Sequence, residues 1–177
     1  MGPGGRAEED RRDGPVVGIS ESPVDAGKVI ASVSGPDAGA VAVFLGTVRG
    51  ESAGKRTLFL EYEAYGPMAE KTLRGIARAV AAEIGPCRVA IVHRVGRLEI
   101  GEISIAIAVA SAHRRVALAV CAECIERVKK TLPVWKKEHF EDGAVWIEGD
   151  PSAPQPARGE TAVRLARGPA SNEDSSK

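Results

Sequence analysis

A strictly alternating apolar run, Ile103, Ile105, Ile107 and Val109, stops at a His-Arg-Arg cluster, and a helix-period stripe begins at once. That junction constrains the fold more than any other stretch, because a period of two commits a chain to a strand and a period of 3.6 to a helix. In the helix Ala117, Cys121, Cys124, Ile125, Val128 and Leu132 recur at three- and four-residue spacing, so one face is predicted to pack. Ser111 is the predicted N-cap, its hydroxyl accepting from a free amide of the first turn. His113, Arg114 and Arg115 then fall in that turn, where the macrodipole disfavours cations. Potential cations stacked on the positive end of a helix point to a bound anion. The plain alternative is a solvated surface turn.

Before this junction the chain reads as alternating elements. Val16–Ile19 suits a short strand, and Val24, Val29, Ile30 and Val33 suit a short helix closed by Gly35-Pro36. Ala40 to Arg49 is almost wholly apolar and predicts a buried strand with a polar end at Thr47-Val48-Arg49. Gly50 to Arg56 reads as a mobile loop, and Thr57 to Tyr65 as a strand with Leu58, Leu60, Tyr62 and Ala64 on one face. Pro67 opens a helix whose stripe is Met68, Leu73, Ile76, Val80 and Ile84, and Gly85-Pro86 stop it. Arg88–Val95 and Glu99–Ala110 are predicted strands joined by a Gly96-Arg97 turn, and 134–140 and 144–148 form a hairpin about Glu141-Asp142-Gly143.

This order predicts an α+β sandwich, helices packed on a mostly antiparallel sheet, over residues 16–149. Residues 1–15 and 150–177 lack apolar periodicity and read as disordered tails. With 24 basic and 24 acidic residues, the chain has none of the basic excess of a nucleic-acid binder. No apolar run reaches membrane-span length, and no signal-peptide core precedes the domain. Three cysteines fit reduced thiols, so a cytoplasmic protein is expected.

Cations close three segments: Arg49, then His113 with Arg114, then Lys129 with Lys136 and Lys137. Phosphate and carboxylate recognition requires such groups to converge, Arg as a bidentate fork and Lys as a movable charge. A lysine held among cations also becomes a usable base or nucleophile. Pro133 separates Lys129 from Lys136, so a common helical face does not follow from their spacing. Cys121 and Cys124 form Cys-x-x-Cys, but mid-helix on the apolar stripe and without a second ligand pair, which favours buried structural thiols over metal or redox chemistry. His93, inside an apolar strand, reads as a hydrogen-bonded core residue, and Trp135 and Trp146 as packing in or beside the terminal hairpin.

Taken together, Phe44-x-Gly46-x-Val48-Arg49, Glu61-Tyr62, Met68, His93-Arg94-Val95-Gly96, Ser111-Ala112-His113-Arg114, Lys129 and Pro133-Val134-Trp135-Lys136-Lys137-Glu138 resemble the large, catalytic subunit family of molybdopterin synthase. The resemblance covers Val16 to Glu148 and implies an α/β hammerhead-type fold. It also implies a homodimer in which each copy binds a small ubiquitin-like sulfur carrier with a C-terminal Gly-Gly thiocarboxylate, a heterotetramer in all. Two sulfurs would pass to cyclic pyranopterin monophosphate, giving the dithiolene of molybdopterin. By motif position, Thr47, Val48, Arg49, His113 and Arg114 would line the phosphate site. Lys129 would be the main catalytic lysine, and Lys136, with Lys137 and Glu138, would complete the pocket. No metal or cofactor is implied. Some relatives carry an arginine four residues after the hairpin tryptophan; here that position is Asp150, and Arg158 is a candidate replacement. Two other classes stay open: a non-catalytic binder of a ubiquitin-like tail, and a persulfide sulfurtransferase acting through Cys121 or Cys124.

Overall fold

The structure, a computed structural model, describes residues 14–148. The expected C-terminal tail with Asp150 and Arg158, and the expected N-terminal tail up to residue 13, lie outside the described residues. Chain order is β1 (Val16–Ser20), α1 (Ala26–Val33), β2 (Ala40–Thr47), β3 (Glu51–Ser52), β4 (Lys55–Ala64), α2 (Gly66–Ile84), β5 (Arg88–Arg94), β6 (Gly96–Glu99), β7 (Ile103–Ser111), α3 (Arg114–Thr131), β8 (Val134–Phe140) and β9 (Gly143–Glu148). The strands form two sheets rather than one. A four-stranded sheet runs β1-β5-β7-β2, antiparallel except for β1 on β5. A five-stranded antiparallel sheet runs β3-β4-β8-β9, with β6 also paired to β4.

β7 is central and buried on both faces, which is why its alternation is so regular. Ile105, Ile107 and Val109 meet Leu73, Ile76 and Val80 of α2 and Ala117, Val120, Cys121 and Cys124 of α3 in the main core. Ala106, Ala108 and Ala110 occupy the opposite face, where their small size lets α1 approach with Val29 and Val33. Truncating a side chain such as Ile107, 0% exposed, is expected to cost about 2–5 kcal/mol. Asp25 starts α1 by accepting from the Lys28 amide at 3.1 Å. No helix among the described residues is long and apolar enough to cross a membrane.

Several local expectations are corrected. Gly50–Arg56 is not a loop throughout: Ala53 (φ 50°) and Gly54 (φ 75°) make a two-residue turn that pairs β3 with β4. Gly96-Arg97 is not the turn between two long strands. Gly96, at φ 84°, redirects the chain into β6, where it pairs with Tyr62 in the other sheet. A register shift between Thr57 and Phe59 turns Thr57 inward and leaves Leu58 outside. The buried face of α2 is Ala69, Leu73, Ile76, Ala77 and Val80, with Met68 exposed, because small alanines rather than the larger methionine hold the packing phase. β2 is an edge strand buried on one face only, and Val41, Val43 and Leu45 are exposed on the other. Ser111 remains in β7, opposite Ala40, and His113 rather than Ser111 is the N-cap, without a side-chain bond of its own; the Ser111 hydroxyl still accepts from the His113 amide at 3.5 Å, as expected, and donates to the Pro86 carbonyl at 3.0 Å.

Candidate active site

The two sheets and the C-terminal end of α3 enclose a half-open cavity of about 480 Å³. The end of β2 brings Phe44, Thr47 and, just beyond it, Arg49 to this space. α3 brings Ile125, Val128 and Lys129, and β8 brings Lys136 and Glu138. Pro133 does not separate the two lysines functionally. The helix ends at Leu132, whose carbonyl accepts from the Val134 amide at 2.8 Å, and the tight junction returns β8 beneath the same cavity. Lys129 and Lys136 thus share a cavity without sharing a helical face.

Alternation along β8 sorts its charged residues. Lys136 and Glu138 face inward, while Lys137 faces the opposite side, 4.0 Å from a Glu61 carboxylate oxygen and 5.4 Å from the Trp146 ring centre. Lys137, expected to complete the pocket, does not line this cavity within the single chain, since a period of two turns it away from Lys136. Val48, expected at the phosphate site, does not line the cavity within the single chain either. It is buried with Leu60 and Leu98, and its backbone bonds Glu102 and Gly101 at 3.0 and 2.8 Å, anchoring the cavity-lining residues on either side of it. Trp135 and Trp146 are largely exposed on the terminal hairpin.

Glu138 is 4% exposed; its carboxylate accepts from Ser52 at 3.1 Å and from Lys136 at 3.4 Å. Tyr62 also lines the cavity, and burial raises its pKa, with a Ser104 hydrogen bond opposing and the Glu138 charge adding to the rise. Burial likewise pushes His93 down to about 4, against the pull of its bond to the Arg94 carbonyl. Tyr62, Ser104 and His93 had no assigned site role in the sequence. Only the inward phase shared by Leu60 and Tyr62 pointed toward the first of them.

His113 and Arg114 do not join this group within one chain. They stand exposed at the other end of α3, about 24 Å from Lys129 along the helix axis at 1.5 Å per residue. There, with Gly39, Ala112 and Arg115, they line a second hollow of about 310 Å³. Gly39 passes so close to the Ala112 carbonyl that a Cβ would lie 2.4 Å from its oxygen, so only glycine fits there. Cys121 and Cys124 are buried in the main core, and burial pushes the Cys124 thiol up to about 12. A thiol so disposed is a poor nucleophile. Among the described residues no group of three or more His, Cys, Asp and Glu side chains could hold a metal ion.

Fold and site define a two-sheet α+β protein with a lysine- and arginine-lined cavity suited to a small anionic compound. The family model described as MoaE protein matches residues 19–131, and the chain belongs to that family. It is 47% identical over 129 residues to the molybdopterin synthase catalytic subunit of Halalkalibacterium halodurans, covering 73% of this chain and 83% of that one. The Bacillus subtilis protein of the same name is 44% identical over 129 residues, 73% of this chain and 82% of its own. The crystal structure of molybdopterin synthase from Staphylococcus aureus superimposes with a TM-score of 0.72 at 40% identity, over 74% of this chain and 96% of that chain. The family is one of sulfur-transferring enzyme subunits, the catalytic subunits of molybdopterin synthase.

Proposed function

We propose that this catalytic subunit transfers two sulfurs to cyclic pyranopterin monophosphate, taking each from the thiocarboxylated Gly-Gly terminus of a small ubiquitin-like carrier. The observation that carries the reading is the meeting of Lys129, Lys136, Arg49 and Glu138 around one half-open cavity. An extended Gly-Gly tail is slender enough to enter such a space, and its negative thiocarboxylate is attracted by the two ammonium groups. Lys129 orients that sulfur and moves protons as it attacks the pterin side chain. Lys136, held by Glu138, binds and positions the reactants, and Thr47 and Arg49 hold the anionic part of the pterin.

The protein acts in the cytoplasm as a homodimer, with one carrier on each copy. Within a single chain His113 and Arg114 are too far from Lys129 to contact the same small molecule. In the dimer these residues reach the partner copy's cavity and complete its phosphate site. The exposed apolar side of β2, with Val41, Val43 and Leu45, supports a further protein contact. The test is to incubate the purified protein with thiocarboxylated carrier and the pyranopterin and to assay the dithiolene. Product is expected only when all three are present. Tight carrier binding without product would favour the non-catalytic reading.

A further inference from the structure

His93 carries a feature that the cationic residues of the cavity lack. Its Nδ1 lies 2.8 Å from the Arg94 carbonyl oxygen. A carbonyl only accepts, so Nδ1 holds the ring proton, and in the neutral imidazole Nε2 is left as an acceptor. The ring is 7% exposed, yet it lines the cavity. Among the described residues no group bonds to Nε2. Val89 and Ile91 of β5 face the main core, and His93, two residues on, continues that face to the cavity. Tyr62 stands edge-on to the ring at 5.2 Å and 77°, restricting its tilt.

Among the side-chain nitrogens that line the cavity this one alone can accept, while the Thr47, Tyr62 and Ser104 hydroxyls can both donate and accept. Arg49, Lys129 and Lys136 can only donate, and Glu138 already accepts from Ser52 and Lys136. We propose that His93 Nε2 is a neutral hydrogen-bond acceptor for an N–H or O–H group of the substrate, selecting a heterocycle with a donor edge as well as an anionic group. The low pKa of the buried ring keeps it uncharged at neutral pH, so it does not repel such a donor. The proposal rests on the reading that the pyranopterin reacts in this cavity.

Two substitutions separate it from a purely structural role. In His93→Asn the amide nitrogen takes the place of Nδ1 and can still donate to Arg94, but nothing replaces Nε2. His93→Gln carries an amide oxygen near the place of Nε2 and gives up the Arg94 bond. The KM for the pyranopterin is expected to rise about tenfold in His93→Asn, the scale of one hydrogen bond lost in a desolvated site, with kcat changed less. His93→Gln is expected to recover much of that loss. Wild-type KM in the asparagine variant together with a defect in the glutamine variant would overturn the proposal.

Folding failure of either variant leaves the wild-type protein as the test. With three histidines in the chain, ¹⁵N-histidine NMR can follow His93 Nε2 during titration with pyranopterin in the absence of carrier. A saturable shift of the unprotonated Nε2 signal supports the proposal, and an unmoved signal at saturation overturns it. Lys129→Ala assayed in parallel distinguishes the two claims. If it is inactive while His93→Asn behaves as wild type, the acceptor role fails and the cavity reading stands. If Lys129→Ala turns over normally, the cavity reading itself fails.

Discussion

Lys136 Nζ lies 3.4 Å from Glu138 Oε1, and the two residues stand on the inward face of one strand, two positions apart. The carboxylate is almost wholly buried and holds Ser52 by its other oxygen. One acidic group therefore fixes a cationic side chain and the β3 hairpin at the edge of the lysine- and arginine-lined cavity. Glu138→Gln preserves the shape and removes the counter-charge. Steady-state assays of this variant are expected to show kcat reduced about tenfold, the order of a lost charged hydrogen bond. Circular dichroism should show an unchanged fold, and an unaltered kcat would remove Glu138 from the site.

The cysteines provide the sharpest contrast with a persulfide mechanism. Cys124 is 0% exposed and Cys121 is 7% exposed, and burial raises the pKa of both thiols. Cys121→Ala and Cys124→Ala, singly and together, are expected to retain product yield per active site. Each should lose about 1 kcal/mol of stability in denaturant titration, the scale of one buried methylene-sized group. Loss of sulfur transfer from a folded double variant would reinstate a cysteine carrier.

Much of this arrangement was legible in the sequence, and the misses have identifiable causes. β7 and α3 were readable because Ile105–Val109 and Ala117–Val128 present two clean periods buried by the same core, whereas Ile103, at the start of the alternation, packs against the opposite cluster. The meeting of Lys129 and Lys136 was implied by motif position but could not be read from spacing, because Pro133 breaks helical periodicity and only the fold shows that β8 returns beneath α3. Val48 and Lys137 were assigned to the pocket by motif position, whereas strand phase and backbone pairing turn them elsewhere. The division into two sheets depends on positive φ at Gly96, a local bend that apolar patterning does not encode.

The distance between the two ends of α3 leads to a test of the dimer. Lys129→Ala and Arg114→Ala proteins are each expected to be severely impaired when assayed alone. Co-expression should restore activity if the two residues act from opposite copies, because a mixed dimer then holds one site with neither substitution. Random mixing in a twofold dimer predicts about a quarter of wild-type activity. Absence of complementation in isolated mixed dimers would mean that both residues serve the same chain's site.

His93 links the cavity to stability. Its folded pKa of about 4 lies below the ordinary 6.5, so the unfolded chain binds the proton first as pH falls. Its contribution is complete above pH 6.5 and is lost progressively as pH falls toward 4. Between pH 7.5 and 5 the ring should account for about 2 kcal/mol of lost stability. Urea unfolding across that range should show the loss in wild type and a much shallower slope in His93→Asn. Identical slopes would contradict a buried neutral ring.

Lys129 bears most directly on the account as a whole. Its removal disturbs neither the apolar stripe of α3 nor the backbone that frames the cavity. Lys129→Arg keeps the charge but cannot give up a proton near neutral pH. The decisive measurement is dithiolene formation by wild-type, Lys129→Ala and Lys129→Arg proteins, with carrier and pyranopterin at saturation and the fold and carrier binding verified. Both variants are predicted to fall to about a hundredth of wild-type turnover or below, the lower bound of what a positioned proton-transfer group contributes. Near-wild-type turnover by Lys129→Arg would reduce the residue to an electrostatic anchor, and near-wild-type turnover by Lys129→Ala would contradict the assignment of the cavity.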